Sequence, residues 1–205
     1  MHVDQTTQLR SWQQAGLLAG GFVVLLWVLE IVDVVSGNQL DEYGVRPRTD
    51  EGLVGVVLAP VLHFGWDHLV GNTVPVLVLG FLALVSGLAR GLLATAVIWV
   101  VAGLGVWLFA GDGSIHLGAS SLIFGWIAYL VVRGFLTGHP MEILVGVAVF
   151  LLYGSTLLGV LPGQPGISWQ GHLFGALGGL LAARLLSVAR GSQRRATAAG
   201  WTHGG

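Results

Sequence analysis

Six long apolar stretches, separated by short polar or glycine-rich segments, dominate the chain. They cover residues 16–35, 67–86, 92–110, 120–136, 143–160 and 171–189. An α-helix rises ~1.5 Å per residue, so about 20 residues match a hydrocarbon core about 30 Å thick. The pattern predicts an all-α polytopic membrane protein with six transmembrane helices. These form one domain over residues 16–189, between polar segments at 1–15 and 190–205.

Two segments depart from a simple series of spans. The connection at 36–62 contains an apolar piece, 52–59, that is too short to cross a bilayer and is expected to lie in the interface. The fourth helix is short and is predicted to begin at Ser120, inside the membrane. Arg133 marks the opposite surface, and thirteen residues separate the two, which places Ser120 roughly 20 Å from that surface.

Polar residues near helix ends refine the pattern. Glu30 and Asp33, at the end of the first stretch, are expected to face protein or the interface rather than lipid. Asp67 is predicted to be the N-cap of a helix that starts at the following residue. Pro75 should kink that helix.

Composition agrees with membrane insertion and excludes several classes of function. Hydrophobic residues make up 54% of the chain and charged residues 9%, with a mean hydropathy of +0.81. The net charge of −1 gives no basic surface for nucleic acid. The absence of cysteine excludes disulfides, thiol catalysis and cysteine metal sites.

Arginine distribution predicts the orientation. Seven of the nine basic residues fall on one side of the six-span arrangement, and the remaining two lie in the first long connection. The positive-inside rule then places both termini in the cytoplasm and the first connection outside.

Three polar sites fall in or beside the apolar stretches, on one side of the membrane. His68 and Asn72 are four residues apart and share one helix face. Ser120 opens the fourth helix. His172 lies twelve residues before Arg184, a rise of roughly 18 Å that matches the depth of the serine.

These residue types suit nucleophilic catalysis. A serine nucleophile needs a base within hydrogen-bonding distance, and a helix that starts at Ser120 would offer free N–H groups to an oxyanion. His68 and Asn72 could donate to the same oxygen. Glycines 171, 175 and 179 form a small-residue stripe that would let the sixth helix press against a neighbour, of which the fourth is one candidate.

Each of these features also has a structural explanation. Membrane serines often bond a backbone carbonyl, a histidine can do the same, and small-residue stripes are common packing devices. A zinc site formed by four of the histidines is a further alternative; they are His63, His68, His116 and His172. They lack the H-E-x-x-H spacing and a carboxylate, so no metal and no other cofactor is predicted.

Taken together, the motifs resemble those of the rhomboid family of intramembrane serine proteases. The resemblance covers the chain from about Tyr43 to Leu186 and depends on three motifs in family order. They are His68-x-x-x-Asn72, Gly118-x-Ser120 and Gly171-His172-x-x-Gly175.

The resemblance implies a role for each matched residue. Ser120 is the nucleophile and His172 the base, while His68 and Asn72 complete an oxyanion hole with the backbone N–H of Ser120. Supporting positions are Phe124, which stacks on the base, Gly118 and the loop residue His63. No carboxylate is placed to orient His172, so helix packing and Phe124 are expected to do so.

The sequence therefore predicts an intramembrane serine endopeptidase that cuts in or next to transmembrane helices of other proteins through an acyl-enzyme. It would act in the membrane lipid, in a bacterial plasma membrane. Ser121 departs from the family pattern, which has glycine after the serine. Two alternatives are an inactive rhomboid-like binder of membrane helices and a small transporter. Inactive relatives usually lack the serine or the histidine, and both are present here. A transporter should show an inverted repeat, and none is evident in the sequence. The sequence carries no signal for an oligomeric state.

Overall fold

The computed structural model describes residues 5–164 and 166–200, and most of these residues are helical. Its helices are α1 Gln5–Val35, α2 Asp50–Leu58, α3 Trp66–Val85, α4 Leu88–Phe109, α5 Ser120–Thr137, α6 Pro140–Tyr153 and α7 Trp169–Gly200. The only β pairing in these ranges is an isolated bridge between Val45 and His116. The predicted all-α class is confirmed.

Five of the helical segments are long and apolar enough to cross a membrane. They are Leu9–Val35, Trp66–Val85, Leu88–Phe109, Ser120–Thr137 and Pro140–Val160. The sixth predicted span corresponds to α7, whose glycines and polar residues lower its hydropathy. Because α7 nevertheless packs against both α4 and α5, the arrangement is compatible with six spans.

Several element boundaries differ from the sequence predictions. α1 begins at Gln5 and α7 continues to Gly200, because Gln, Arg and Ala are good helix formers and a helix does not stop where apolarity stops. Residues 1–4 and 201–205 of the predicted polar segments lie outside the described residues. The assignment of these segments as separate tails stays a prediction.

Two helix ends have a clear local cause. The prediction that Asp67 is the N-cap of α3 is wrong. Gly65 takes that position with φ of 81°, and Asp67 lies in the first turn, where a carboxylate still favours the helix dipole. α6 ends at Tyr153, and the chain continues as the 3-10 helix Gly154–Val160 because glycine, serine and threonine open that segment. Pro75 lies inside α3, and its kink stays a prediction.

The first connection is tied to the loop between α4 and α5. The amide and carbonyl groups of Val45 and His116 exchange two hydrogen bonds, at 2.8 and 3.0 Å. Arg48 donates to the Leu108 carbonyl at 2.9 Å and pairs with Asp112. The short helix α2 follows and contains most of the apolar piece 52–59, whose location in the interface stays a prediction. Glu30 and Asp33 are buried in protein, also as expected.

Two glycines of α7, which have no side chain, allow α5 and α7 to approach closely. A Cβ at Gly175 would overlap the carbonyl oxygen of Ser121, and one at Gly179 would overlap that of Gly125. The two backbones are therefore in direct contact, which larger residues would prevent. The glycine stripe therefore packs against the fourth predicted span, the helix that the sequence analysis named as one candidate.

A buried charge pair fastens the far end of α5. Arg133 has 3% of its side chain exposed and donates to Glu142 of α6 at 2.6 Å. It also donates to Ser86, at the end of α3, and lies over the Tyr129 ring at 5.7 Å. Three helices are joined at this end, away from Ser120.

We predict opposite effects for two Gly-to-Ala changes in helices. Gly175→Ala forces a methyl group into the Ser121 carbonyl and should cost about 1–3 kcal/mol. Gly21→Ala adds a methyl group that meets nothing within 4 Å and should stabilise α1 by up to ~1 kcal/mol. Unfolding in detergent micelles measures both, and equal effects would contradict this packing.

Candidate active site

Ser120 and His172 meet across the α5–α7 contact. Ser120 is the first residue of α5, and His172 lies in the first turn of α7. The serine Oγ and the histidine Nε2 are 3.0 Å apart. The structure thus brings together the two residues that the sequence singled out.

The other imidazole nitrogen determines the tautomer. His172 Nδ1 lies 3.0 Å from the carbonyl oxygen of Gly159. A carbonyl only accepts, so Nδ1 carries the hydrogen and Nε2 is left free to accept the proton of Ser120. Gly159 was not predicted as a site residue, since a backbone carbonyl leaves no signature in the sequence.

Phe124 packs flat against the imidazole of His172. Its ring centroid lies 3.9 Å from that of His172, with an interplanar angle of 9°. A Cβ at Gly159 would meet the Phe124 ring at 2.9 Å and His172 Nδ1 at 3.2 Å. Phe124 therefore covers one face of the imidazole while the Gly159 backbone lies at its Nδ1 edge, and together they fix the plane of the ring.

The predicted pair on α3 faces the same place. Gly118 has φ of +123°, and a Cβ there would lie 2.5 Å from Cε1 of His68, so only glycine fits beside this ring. His68 Nδ1 accepts from the Phe64 amide at 3.4 Å. Asn72 is 7% exposed, and its Nδ2 has no hydrogen-bond partner among the described residues. An unused donor therefore lies near Ser120.

His63 supports the start of α5 from behind. It is 2% exposed, its Nε2 accepts from the Ala119 amide at 3.4 Å, and its ring meets that of His68 edge-on at 5.1 Å. Burial, and secondarily the charge of His68, lowers the pKa of His63 to about 3. The residue is thus neutral at physiological pH.

One open cavity of about 750 Å³ is lined by Ser120, His172, Phe124, His68 and Asn72. Its walls come from α3, α5, the 3-10 helix Gly154–Val160, the start of α7 and the loops between them. The described side chains include no group of three His, Asp or Glu residues able to hold a metal ion. The volume falls within the usual range for ligand pockets, roughly 300–1,000 Å³.

The family model for the Rhomboid domain matches residues 50–189. This range includes the three motifs and the residues of the candidate site. The chain belongs to the rhomboid family. Rhomboids are typically intramembrane proteases.

Curated relatives of this rhomboid occur in mycobacteria. Uncharacterized proteins of Mycobacterium tuberculosis and Mycobacterium bovis are each 47% identical over 204 residues, covering 96% of this chain and 85% of the relative. An uncharacterized protein of Mycobacterium leprae is 41% identical over 204 residues, covering 96% of this chain and 81% of the relative.

Ser121, which departs from the family motif, is accommodated in this rhomboid. Its backbone carbonyl lies against Gly175. The residue also lines a small cavity of about 30 Å³, together with Ser168 and Gly171. The serine side chain is therefore tolerated because the helix contact at this position is made by its carbonyl.

We predict that His63 makes stability fall on acidification. The pKa of His63 in the folded protein, about 3, lies below the ordinary 6.5. At pH values between these two, the unfolded chain binds a proton at this imidazole and the folded protein does not. Stability should then decrease as the pH falls below ~6.5, with a slope approaching 1.4 kcal/mol per pH unit. In His63→Gln this part of the slope should vanish. Unfolding measured from pH 7 to 4 tests it, and unchanged slopes would contradict it.

Proposed function

We propose that the protein is an intramembrane serine endopeptidase that cleaves peptide bonds in or next to transmembrane helices of other proteins. The observation that carries the proposal is the 3.0 Å approach of Ser120 Oγ to His172 Nε2, with Nδ1 directed at the Gly159 carbonyl. Hydroxyl, base and orienting acceptor form the arrangement that nucleophilic catalysis requires. No cofactor is needed.

The reaction follows from these contacts. As Ser120 Oγ attacks the scissile carbonyl carbon, His172 Nε2 takes its proton, and the carbonyl oxygen becomes an oxyanion. When the peptide C–N bond breaks, His172 returns the proton to the leaving amine and an acyl-enzyme remains. Water, activated by the same base, then hydrolyses the ester and restores the serine.

The oxyanion would be held by donors that are already in place. In the first turn of α5 the amides of Leu122 and Ile123 donate to the Ala119 carbonyl. The amides of Ser120 and Ser121, at the positive end of the helix dipole, remain for the oxyanion. Asn72 lines the cavity with an unpartnered, buried Nδ2. Leaving such a donor unpaired costs about 1–3 kcal/mol. An oxyanion would remove that cost in the transition state, which favours the reaction.

The proposed substrates and location follow from the surroundings of the cavity. The cavity lies at the opposite end of α5 from Arg133, and seven of nine arginines fall on the side of Arg133. We therefore place both termini in the cytoplasm and the cavity toward the outer face of a bacterial plasma membrane. Transmembrane proteins in the same lipid bilayer would reach it from that side.

We predict that Ser120→Ala and His172→Ala each reduce cleavage of a transmembrane substrate in proteoliposomes to the uncatalysed background. Because the two residues act as a unit, the double variant should be scarcely slower than either single one. A fluorophosphonate should label the parent and not Ser120→Ala. Ser121→Ala is the matched control and should keep both activities.

Two outcomes would contradict this assignment. If the folded parent neither cleaved nor took the label, the protein would be a non-catalytic binder of membrane helices. If Ser120→Ala stayed active and Ser121→Ala lost the label, the neighbouring serine would be the nucleophile.

We predict that Asn72→Ala lowers kcat without abolishing turnover. Loss of one oxyanion donor typically costs ~10²–10³-fold, and the helix start shares the load here, so the lower end is expected. KM should change little, because the contact forms with the developing charge. Asn72→Asp removes the donor at similar size and should be at least as slow. Parental kcat in both variants would make Asn72 a structural residue.

A further inference from the structure

His116 connects the two chain segments that precede the proposed catalytic residues. It lies in the loop before α5, four residues ahead of Ser120. Its Nδ1 is 2.7 Å from the hydroxyl of Ser168, which lies four residues ahead of His172. Its Nε2 is 2.8 Å from the Ser114 hydroxyl. One side chain therefore joins the approach to the nucleophile with the approach to the base.

Ser168 immediately precedes the first residue of α7. Its hydroxyl accepts the amide hydrogen of Gly171 at 3.1 Å, and its carbonyl accepts that of His172 at 3.1 Å. These are the contacts of a helix N-cap, so the position of Ser168 determines where the first turn of α7 lies. A bond to the Ser168 hydroxyl acts on the turn that carries the base.

The hydrogen bonds around His116 determine which imidazole nitrogen carries the hydrogen. The Ser114 hydroxyl donates to the Gly111 carbonyl at 2.5 Å, so it accepts from His116 Nε2–H. Nδ1 is then bare and accepts the Ser168 hydroxyl, whose oxygen still receives the Gly171 amide. Every donor and acceptor is used once when the imidazole is neutral. Burial lowers the pKa of His116, which favours this neutral form.

The loop side of this contact is equally well held. The His116 backbone pairs with Val45 through two hydrogen bonds. The Gly118 amide donates to the Ala59 carbonyl at 2.8 Å. Between His116 and Ser120 the chain thus has little freedom, and a displacement of the imidazole would reach the serine.

His116 does not form a second nucleophilic site. The Ser114 hydroxyl gives its hydrogen to Gly111, and the Ser168 hydroxyl is engaged as a cap and as a donor to the imidazole. The Ser114 hydrogen is directed at a carbonyl and not at His116. The Ser168 oxygen, which donates to Nδ1, already has a lone pair bound to the Gly171 amide. The arrangement serves to hold position.

We propose that His116 is a positioning residue, which holds the N-cap of α7 at a fixed distance from the start of α5 and so sets the Ser120–His172 separation. The inference rests on the proposed function. Misplacement by about 1 Å between nucleophile and base can cost ~10²-fold in rate. The effect of losing this contact should therefore appear in the chemical step.

Two variants of matched size separate this role from simple packing. In His116→Asn the amide oxygen takes the place of Nδ1 and can accept from Ser168, whereas His116→Leu fills a similar volume without an acceptor. His116→Leu should lower kcat by about 10- to 100-fold with KM unchanged. His116→Asn should stay within a few-fold of the parent. The rate of fluorophosphonate labelling at Ser120 should follow the same order. His139→Ala, an exposed histidine at the start of α6, should leave both rates unchanged.

The outcomes distinguish the inference from the function on which it rests. Equal losses in the Leu and Asn variants would make His116 a packing residue, and a raised KM with parental kcat would make it a substrate contact. Parental rates in His116→Leu would also overturn the inference, while cleavage by the parent would leave the proposed function standing. A parent that neither cleaves nor labels would overturn both.

Discussion

The direct backbone contact between α5 and α7 is the constraint on which the site depends. Lipid tails are as apolar as the helices, so there is no hydrophobic force that drives two membrane helices together, and close association has to come from van der Waals packing. Gly175 and Gly179 allow that packing because their Cβ positions are occupied by carbonyl oxygens of α5. A hydrogen bond as short as 3.0 Å between Ser120 and His172 is possible only at this separation, since neither side chain is long.

The orientation of His172 illustrates what a low-dielectric site favours. A carboxylate beside the imidazole would stabilise its charged form, but it would also bring a second ion out of water at a cost of several kcal/mol. The Gly159 carbonyl orders the same tautomer with a neutral dipole. The 3-10 segment that provides this carbonyl forms part of the cavity wall. The cavity wall and His172 are therefore coupled, and a shift of the segment would release the imidazole.

The helices and the proximity of Ser120 to His172 could be predicted from the sequence, because each left a side-chain or hydropathy signal. Apolar stretches of about 20 residues located the spans, and the spacing from Ser120 and from His172 to the next arginines placed both at one depth. The sequence could not predict Gly159, which acts through its backbone, or the bond of His116 to Ser168, which joins residues 52 positions apart. Asp67 was misassigned as a cap because the positive φ of Gly65 is a property of the chain path, not of composition.

The proposed chemistry requires the substrate helix to unwind, whatever the geometry of Ser120 and His172. A transmembrane helix keeps its carbonyls in i to i−4 hydrogen bonds, and lipid offers no replacement partners. A carbonyl would reach Ser120 only after the substrate unwinds into the cavity of about 750 Å³, where polar side chains such as Asn72 can bond the freed backbone. Unwinding costs least where helix propensity is poor, since Gly is ~1 kcal/mol and Pro ~3 kcal/mol less favourable than Ala in a helix. Selection among substrates would then depend less on the side chains at the cut than on how readily the helix opens near the end of its span.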